Sequence, residues 1–269
     1  MKPVVYRAIT IAAACLGIFA STFAQGDPAS ARMFDGETLK YEGKGNKMHV
    51  SITIADLTFS ASASPNSNDL VIKSSAVSKG ALLSLFRYSF LQQYESTIDT
   101  DTFQILKTTK HDVQKERVRD SEAVFDYKTK RVSYIETDPK DPMRPPRKIA
   151  SEIGEHVYDI ISAIYGVRLL PLAIGKKFEF TVSDSGLVYK VPVAITAREQ
   201  LRTVLGKVWC FRVEPQVFGK DRLIEREGKM IIWITDDARH TPVRSQLSTD
   251  FGKFDIKLKS STVAEARSK

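Results

Sequence analysis

A single helical pattern, between His156 and Lys177, constrains the fold of this 269-residue chain most, because the rest of the chain carries the pattern of β-strands. At 100° per residue, the apolar positions of this segment form a wide face, and its small or polar positions form a narrow face opposite. The wide face comprises Val157, Tyr158, Ile160, Ile161, Ile164 and Tyr165, whereas Asp159, Ala163 and Gly166 lie opposite. The segment is therefore predicted to be an amphipathic helix that buries one face against a sheet.

Local signals define the ends of this helix. Asp159 is a suitable N-cap, with Ser162 three residues later, so the helix is predicted to begin at Ile160. Pro171 disfavours helical geometry in the residue before it, and Gly175 provides a break before the next strand.

Arg168 is the charged residue that lies in line with the apolar face. In one interpretation its aliphatic stem packs while its guanidinium reaches solvent or a buried carboxylate, for which Asp236 or Asp237 would serve. In the other interpretation Arg168 binds an anionic ligand at the mouth of a pocket, with Tyr165 and Trp233 as aromatic walls. The two interpretations differ in whether loss of the charge changes stability or ligand binding.

On both sides of the helix, apolar and polar residues alternate with the period of β-strands. The predicted strands are 37–41, 48–59, 70–79, 88–98, 103–111, 118–127, 131–136, 177–183, 187–197, 201–204, 208–213, 223–227, 229–235, 243–249 and 254–263. This distribution predicts a mainly β fold with one central α-helix. A single large, strongly bent antiparallel sheet is expected to wrap around that helix, and residues 34–263 are expected to form one domain.

Three segments interrupt the strand pattern. A change of phase at Ala55-Asp56 predicts a bulge or bend in a long strand. Four prolines within Asp138–Lys148 predict a loop. The densely apolar Gly80–Phe86 is interpreted as a short helix or loop that plugs one end of a barrel or, alternatively, as a lip that touches a membrane.

The first 24 residues have the pattern of a signal peptide. Lys2 and Arg7 precede an apolar run, and Thr22-Phe23-Ala24 provides small residues at a cleavage position. Lipid attachment at Cys15 is the alternative, but the apolar run continues well past this cysteine. We therefore expect a secreted protein that begins near Gln25. Residues 264–269 are expected to form a polar tail.

The composition of the mature chain restricts its chemistry. Without residues 1–24, 38 basic residues accompany 32 acidic ones, and the two signs are interspersed. This pattern is typical of a solvated surface, although the excess of positive charge would also suit an anionic envelope surface. Cys210 is the cysteine that remains, so no intramolecular disulfide can form, and its apolar neighbours predict a buried thiol.

Four groups of residues carry a resemblance to a known family. They are Asp159, Ser162, Ala163, Tyr165, Arg168, Pro171, Leu172 and Gly175 at the helix; Phe34–Tyr41 near the start; Phe125-Asp126; and the run Ile232–Val243 with Trp233, Asp236 and Asp237. This pattern resembles a bacterial envelope family known as domain of unknown function 3108. The chain departs from it after the opening strand, where members often carry a Trp and Gly pair and this chain has Gly43–Lys47 and then Met48. The resemblance implies a periplasmic half-open β-barrel around a helix, similar to half-barrels that carry lipid or lipoprotein, without an established activity.

The sequence contains few candidates for catalysis or metal binding. Glu152, Glu155, His156 and Asp159 are the best set of metal ligands, but first-turn acids also suit a helix dipole. Asp236 and Asp237, with His240 nearby, are interpreted as turn residues that bind backbone groups. No nucleophile elbow, phosphate loop or dinucleotide fingerprint is present. We therefore expect no catalytic residues, no metal, no cofactor and no nucleic-acid partner.

Three classes of function are left open. The leading hypothesis is a monomeric, non-catalytic periplasmic protein that binds or carries a lipid-like or acyl ligand in the concave face of the sheet. The alternatives are a scaffold or assembly factor that binds an envelope protein through a sheet edge, and an unrecognised hydrolase of envelope polymers. A dry, closed core would argue against the first hypothesis, and a cleft lined by convergent acids would favour the third.

Overall fold

The computed structural model describes residues 28–47, 50–80, 87–250 and 252–263. The predicted signal peptide of residues 1–24 with Cys15, the departure at Met48, residues 81–86 of the predicted plug and the tail of residues 264–269 lie outside the described residues. Within the described parts of the chain, no helix is both long and apolar enough to cross a membrane.

Fourteen strands of the described chain form one antiparallel sheet, which confirms the predicted mainly β architecture. They are β1 (Glu37–Lys47), β2 (Val50–Ala63), β3 (Asp69–Ser78), β4 (Phe90–Asp99), β5 (Ile105–Gln114), β6 (Arg117–Asp126), β7 (Arg131–Thr137), β8 (Arg147–Glu152), β9 (Lys177–Asp184), β10 (Leu187–Thr203), β11 (Gly206–Pro215), β12 (Gly228–Thr235), β13 (Pro242–Thr249) and β14 (Gly252–Val263). The α-helix, α1, spans Ile160–Arg168 between β8 and β9, and a 3-10 helix at Pro28–Phe34 precedes β1.

The order of the strands follows two runs of hairpins that meet where β1 pairs with β14. One run leads outward from β1 to β8, and the other leads outward from β14 to β9. The sheet is not closed, because β8 and β9 are its two outer strands and do not pair with each other. We call the region between these two outer strands the seam.

The chain between β8 and α1 runs through the seam and bonds to both of its sides. On one side the Ile153 N–H donates to the Lys130 carbonyl oxygen over 3.0 Å. On the other side the Tyr158 N–H donates to the Thr181 carbonyl (2.9 Å), and the Ser183 N–H donates to the Tyr158 carbonyl (2.7 Å). These bonds place Tyr158 parallel to the edge of β9, as an extra residue of the sheet.

A turn also bridges the seam. The Ser151 hydroxyl of β8 donates to the carbonyl oxygen of Gly186, in the turn between β9 and β10, over 2.7 Å. A Cβ atom at Gly186 would lie 2.6 Å from the Cβ of Tyr134 and 3.0 Å from that of Ile149. Gly186 also has a positive φ of 80°, so a glycine is required both by the turn and by the close approach of the two sheet ends.

The largest group of buried apolar residues surrounds α1 on the inner side of the sheet, and we call it the main cluster. It includes Val157, Ile161 and Tyr165, as the helical pattern predicts. Ile164 is only partly buried and is not part of this cluster, so its predicted core position is wrong. The opposite face of α1 is buried as well, because a Cβ at Gly166 would lie 2.6 Å from the Tyr158 ring. The helix is thus enclosed rather than laid against a single wall.

Two predicted segments differ from the structure. The predicted loop Asp138–Lys148 overlaps the start of β8, an edge strand that pairs with β7 although its side chains are mostly exposed. A strand at a solvated edge lacks the alternation of apolar and polar residues from which strands are predicted. The predicted strand at 223–227 is absent, because the chain there folds back locally: the Ile224 N–H donates to the Val217 carbonyl, and the Gly219 N–H donates to the Ile224 carbonyl.

The predicted bulge in β2 is present at almost the expected place. The register between β1 and β2 shifts between the pairs Gly43–Ala55 and Lys44–Thr53, which leaves Ile54 as the extra residue. The change of phase in the sequence therefore identified a real irregularity, one residue before its expected position.

Candidate functional site

The N-terminus of α1 is fixed to the inner face of the sheet by Asp159. Its carboxylate accepts a hydrogen bond from the Ser162 N–H (2.6 Å), and the Ser162 hydroxyl accepts one from the Asp159 N–H (2.8 Å), which is a capping box. The same carboxylate accepts hydrogen bonds from the hydroxyls of Ser96 on β4 and Thr108 on β5. Asp159 is therefore both a helix cap and a cross-link between helix and sheet.

The C-terminus of α1 is fixed by a buried ion pair. The guanidinium of Arg168 binds the carboxylate of Glu37 in bidentate geometry, with N–O distances of 2.6 and 2.7 Å. Both side chains have 0% exposure to solvent. Arg168 also donates to the carbonyl oxygen of Arg239, and the rings of Phe34 and Tyr165 lie 4.4 and 5.0 Å from its guanidinium carbon.

A second arginine completes this cluster. Nη2 of Arg239 lies 3.5 Å from a Glu37 carboxylate oxygen and donates to the carbonyl of Met33 in the 3-10 helix. We call Glu37, Arg168 and Arg239 the ion-pair cluster. It joins the 3-10 helix, β1, the end of α1 and the turn between β12 and β13, which are distant in the sequence.

The carboxylate partner of Arg168 differs from the one that the sequence suggested. Asp236 instead pairs with Arg198 at 2.5 Å. Asp237 accepts hydrogen bonds from the backbone N–H groups of Arg239 and His240, which is the turn role. The expected pairing of Arg168 with Asp236 or Asp237 is therefore wrong, because both acids are held within or beside their own turn.

Arg168, Tyr165 and Trp233 do not line a common pocket. Tyr165 packs edge-on against Phe34 in the main cluster, with ring centroids 5.0 Å apart. Burial raises the pKa of the Tyr165 hydroxyl, and the positive charge of Arg168 opposes this effect. Trp233 belongs to a second cluster, with Leu39, Tyr41, Cys210, Val243 and Leu258.

Alternation along β12 explains the separation of these aromatic residues. Met230, Ile232 and Ile234 contact the main cluster, whereas Ile231 and Trp233 contact the second cluster. The indole N–H of Trp233 donates to Glu199 over 3.1 Å. The role of Arg168, Tyr165 and Trp233 as ligand contacts stays a prediction, and their geometry favours the structural interpretation of Arg168.

The remaining signature residues end the helix. Pro171 is exposed just after α1 and follows its C-cap, Leu169. Gly175 has a positive φ of 86°, and its N–H donates to the carbonyl of Ile195 on β10 over 2.8 Å. Both residues therefore direct the chain from the helix into β9.

The inner side of the sheet contains a very small cavity. It has a volume of about 30 Å³ and lies beside Asp159 and Ile160, between Tyr94 and Asp184. A cavity needs roughly 10–15 Å³ of such space to hold one water molecule, so this one has room for only a very few. The main cluster and α1 thus fill the region where the sequence suggested a ligand.

The seam contains a much larger groove, of about 910 Å³. It is lined by Gln104, Tyr127, Lys130, Glu152, Ile153, Gly154, Glu155, His156, Tyr158, Glu179, Thr181, Val188 and Lys190. Burial lowers the pKa of His156, whose Nε2 has no hydrogen-bond partner among the described residues. Glu179 forms an ion pair with Lys190 at 3.2 Å.

The groove does not assemble the suggested metal ligands. Glu152, Glu155 and His156 line it, whereas Asp159 is occupied in the helix cap. Within the part of the chain that the structure describes, no three His, Cys, Asp or Glu residues are arranged to hold a metal ion.

Sequence analysis missed Glu37 as the partner of Arg168, although a signal existed. Glu37, Leu39 and Tyr41 are spaced two residues apart in β1, so Glu37 shares the phase of two buried residues. A charge on the buried phase of a strand and a charge on the buried face of a helix are complementary, and their pairing could have been inferred. The edge of β9 had no comparable signal, because the sequence does not show which strands are outermost.

Together, the open antiparallel sheet, the enclosed helix and the buried ion pair define a β-barrel-like protein. The profile of the family described as "Protein of unknown function (DUF3108)" matches residues 22–259. The chain therefore belongs to the DUF3108 family, as the resemblance in the sequence indicated. None of the curated proteins compared with the chain matches it.

One solved structure confirms the type of fold, and two others are similar to a lower degree. A β-barrel-like protein of the domain of unknown function DUF1849 from Brucella abortus is 8% identical, with a TM-score of 0.59, over 87% of this chain and 99% of that one. A protein with a YmcC-like fold from Bacteroides fragilis is 9% identical, with a TM-score of 0.30, over 85% and 96%. A hypothetical protein from Chlamydia trachomatis is 9% identical, with a TM-score of 0.33, over 91% and 96%. At this identity, the Brucella structure is evidence for the fold alone.

Proposed function

We propose that the protein is a non-catalytic binding module that captures an extended segment of a partner polypeptide by strand addition to the free edge of β9. The observation that carries this proposal is that the backbone hydrogen bonds along that edge stop partway along the strand. The chain at Tyr158 pairs with Thr181 and Ser183, and the groove in the seam opens directly beside them. The N-terminal sequence pattern supports a periplasmic location for this module.

The backbone of Glu179 is available for such an addition. Alternate residues of a strand direct their N–H and C=O groups to the same side, so those of Glu179 point to the same edge as those of Thr181. Glu179 lies opposite Pro192 of β10, which has no backbone N–H that could bind the Glu179 carbonyl oxygen. In the described chain, the backbone hydrogen bonds along this edge stop at Thr181.

The chemistry of the groove suits a polypeptide better than an acyl chain. Its walls combine the apolar side chains of Tyr127, Ile153 and Val188 with charges of both signs, including Lys130 and Glu155. Strand addition obtains affinity from main-chain hydrogen bonds, and the side-chain pockets provide specificity. A hydrocarbon chain would leave the free main-chain groups of β9 without partners.

The other two hypotheses have less support. The inner cavity of about 30 Å³ is too small for the acyl chain of a lipid carrier. For a hydrolase, a nucleophile should lie within hydrogen-bond reach of a base. The Thr181 hydroxyl instead accepts from Lys190, and His156 Nε2 has no partner among the described residues.

A pair of substitutions at one position tests strand addition. A library of random ten-residue peptides would be selected on the immobilised protein, and selected peptides would be measured by calorimetry against Glu179→Pro and Glu179→Ala. Both variants lose the ion pair with Lys190, but only proline removes the N–H at the edge. We expect Glu179→Ala to bind within about twofold of wild type and Glu179→Pro to lose about tenfold, the effect of one buried hydrogen bond.

Hydrogen exchange on the wild-type protein provides a measurement that does not depend on the folding of a variant. A bound peptide should slow exchange of the Glu179 amide and leave that of Phe180, in the ladder with β10, unchanged. Equal binding by Glu179→Pro and Glu179→Ala, an unchanged Glu179 amide or a library that yields no binding peptide would contradict the proposal.

A further inference from the structure

The β10–β11 hairpin extends beyond the neighbouring strand. The ladder between β11 and β12 covers Cys210–Val213, and a bond from the Asp236 N–H to the Trp209 carbonyl marks its end. From there the two strands pair with each other as far as Thr203 and Gly206. We call residues 198–209 the hairpin tip.

The hairpin tip exposes apolar side chains close together. Val204, Leu205 and Trp209 are 54%, 42% and 45% exposed. They lie within six residues at the end of a two-stranded ribbon, where neither strand has a third strand paired with it. The other face of the ribbon packs Leu201 and Val208 on the second cluster, and the guanidinium of Arg198 lies 4.4 Å from the Trp209 ring. Exposed apolar groups concentrated at one point mark an interaction surface more often than scattered ones do.

The hairpin tip also has an unbalanced positive charge. Arg202 and Lys207 are direct cross-strand partners, and like charges in that position destabilise a sheet. Across the tip, Glu199 is the one acidic residue, against Arg198, Arg202 and Lys207. An anionic surface in contact with the tip would relieve this repulsion.

Basic residues continue from the tip along the adjacent strands. A groove of about 470 Å³ separates residues 200–204 from β13 and β14, and Arg202, Arg244, Lys257 and Lys259 are its charged lining residues. Asp255 contacts Arg244 and Lys257, and Glu42 contacts Lys259, so the charge of this region is only partly compensated.

We propose that the hairpin tip docks the protein on an anionic lipid bilayer. Val204 and Leu205 enter the interface, Trp209 lies at the level of the headgroups, and Arg202 and Lys207 bind lipid phosphates. Tryptophan is enriched at this depth of membranes, and each basic residue near an anionic surface strengthens binding. A turn with an exposed apolar end suits a deformable bilayer rather than a preformed protein pocket. The inference is independent of strand addition at β9.

Tryptophan fluorescence and sedimentation test the docking. The chain has two tryptophans, and Trp233 is 6% exposed, so a change in fluorescence on addition of vesicles reports on Trp209. The full-length mature chain would be mixed with vesicles of phosphatidylcholine alone or with phosphatidylglycerol added. We expect a blue shift and co-sedimentation with the anionic vesicles, both reversed by salt. In Trp209→Phe the shift should disappear while sedimentation persists.

A matched pair of charge variants locates the binding surface. Arg202→Ser with Lys207→Ser should reduce partitioning onto anionic vesicles roughly 30-fold, since each basic residue contributes about fivefold. The control is Lys128→Ser with Arg131→Ser, which removes the same charge from exposed positions at the β6–β7 turn. Wild-type protein that does not bind anionic vesicles, or an equal loss in both double variants, would overturn the proposal.

Discussion

At the scale of single residues, the buried ion pair of Arg168 and Glu37 has the largest effect on the structure. Two charges removed from water carry a large desolvation cost, which close bidentate geometry can offset. Here the guanidinium of Arg168 is further stabilised by the carbonyl oxygen of Arg239 and by the rings of Phe34 and Tyr165. The pair is thus stable as a unit and intolerant of the loss of one member.

We predict that Arg168→Met destabilises the fold by about 3–5 kcal/mol, because it leaves the Glu37 carboxylate buried and unpaired except for Arg239. Urea unfolding measures the loss. The double variant Arg168→Met with Glu37→Leu should recover most of it, since no buried charge is left unpaired.

Arg198→Met is the matched control for this prediction. Arg198 also pairs with a carboxylate, that of Asp236, but both side chains are partly exposed, so its loss should cost about 1 kcal/mol or less. If Arg168→Met were no more destabilising than Arg198→Met, the ion pair would not stabilise the fold, and the hypothesis of Arg168 as a ligand contact would regain support.

At the scale of elements, α1 shows how a helix can be predicted correctly while its buried face is predicted only in part. Its start and its capping box depend on residues within one turn, and both are as expected. Its environment depends on the sheet, which surrounds the helix and buries Gly166 as well as Tyr165. Periodicity alone describes a helix with one buried face, so it misassigned Ile164.

Two isoleucines of α1 test this description. Ile161→Ala should cost about 2–5 kcal/mol, because Ile161 is 4% exposed within the main cluster. Ile164→Ala should cost clearly less, roughly 1 kcal/mol or below, because less apolar surface is lost from a partly buried position. Equal losses in thermal or urea unfolding would mean that Ile164 is a core residue after all.

At the scale of the whole molecule, the sheet is open but its ends are held together. The chain between β8 and α1 and the turn at Gly186 both bridge the seam. These contacts join the two ends of the sheet, so they are formed only when the entire sheet has bent round the helix. The same region contains the free edge of β9 and the groove beside it.

A comparison of two glycines isolates the contribution of this closure. Gly186 and Gly206 both have positive φ, at 80° and 90°, so alanine at either position should cost about 1–2 kcal/mol in backbone strain. A Cβ at Gly206 meets nothing within 4 Å, whereas one at Gly186 meets Tyr134 at 2.6 Å. Gly186→Ala should therefore cost about 1–3 kcal/mol more than Gly206→Ala in urea unfolding. Equal effects would show that the seam opens without loss of stability.

The sequence by itself determined the features that depend on neighbouring residues. The helix start at Ile160, the cap at Asp159, the bulge near Ala55 and most strands follow from local chemistry and from periods of 3.6 and 2. The tertiary structure alone decided which distant residues meet. Glu37 and Arg168 are 131 positions apart, Trp233 packs away from Tyr165, and β8 is a strand because β7 lies beside it. Such contacts depend on how the sheet bends and where it ends, and no period along the chain carries that information.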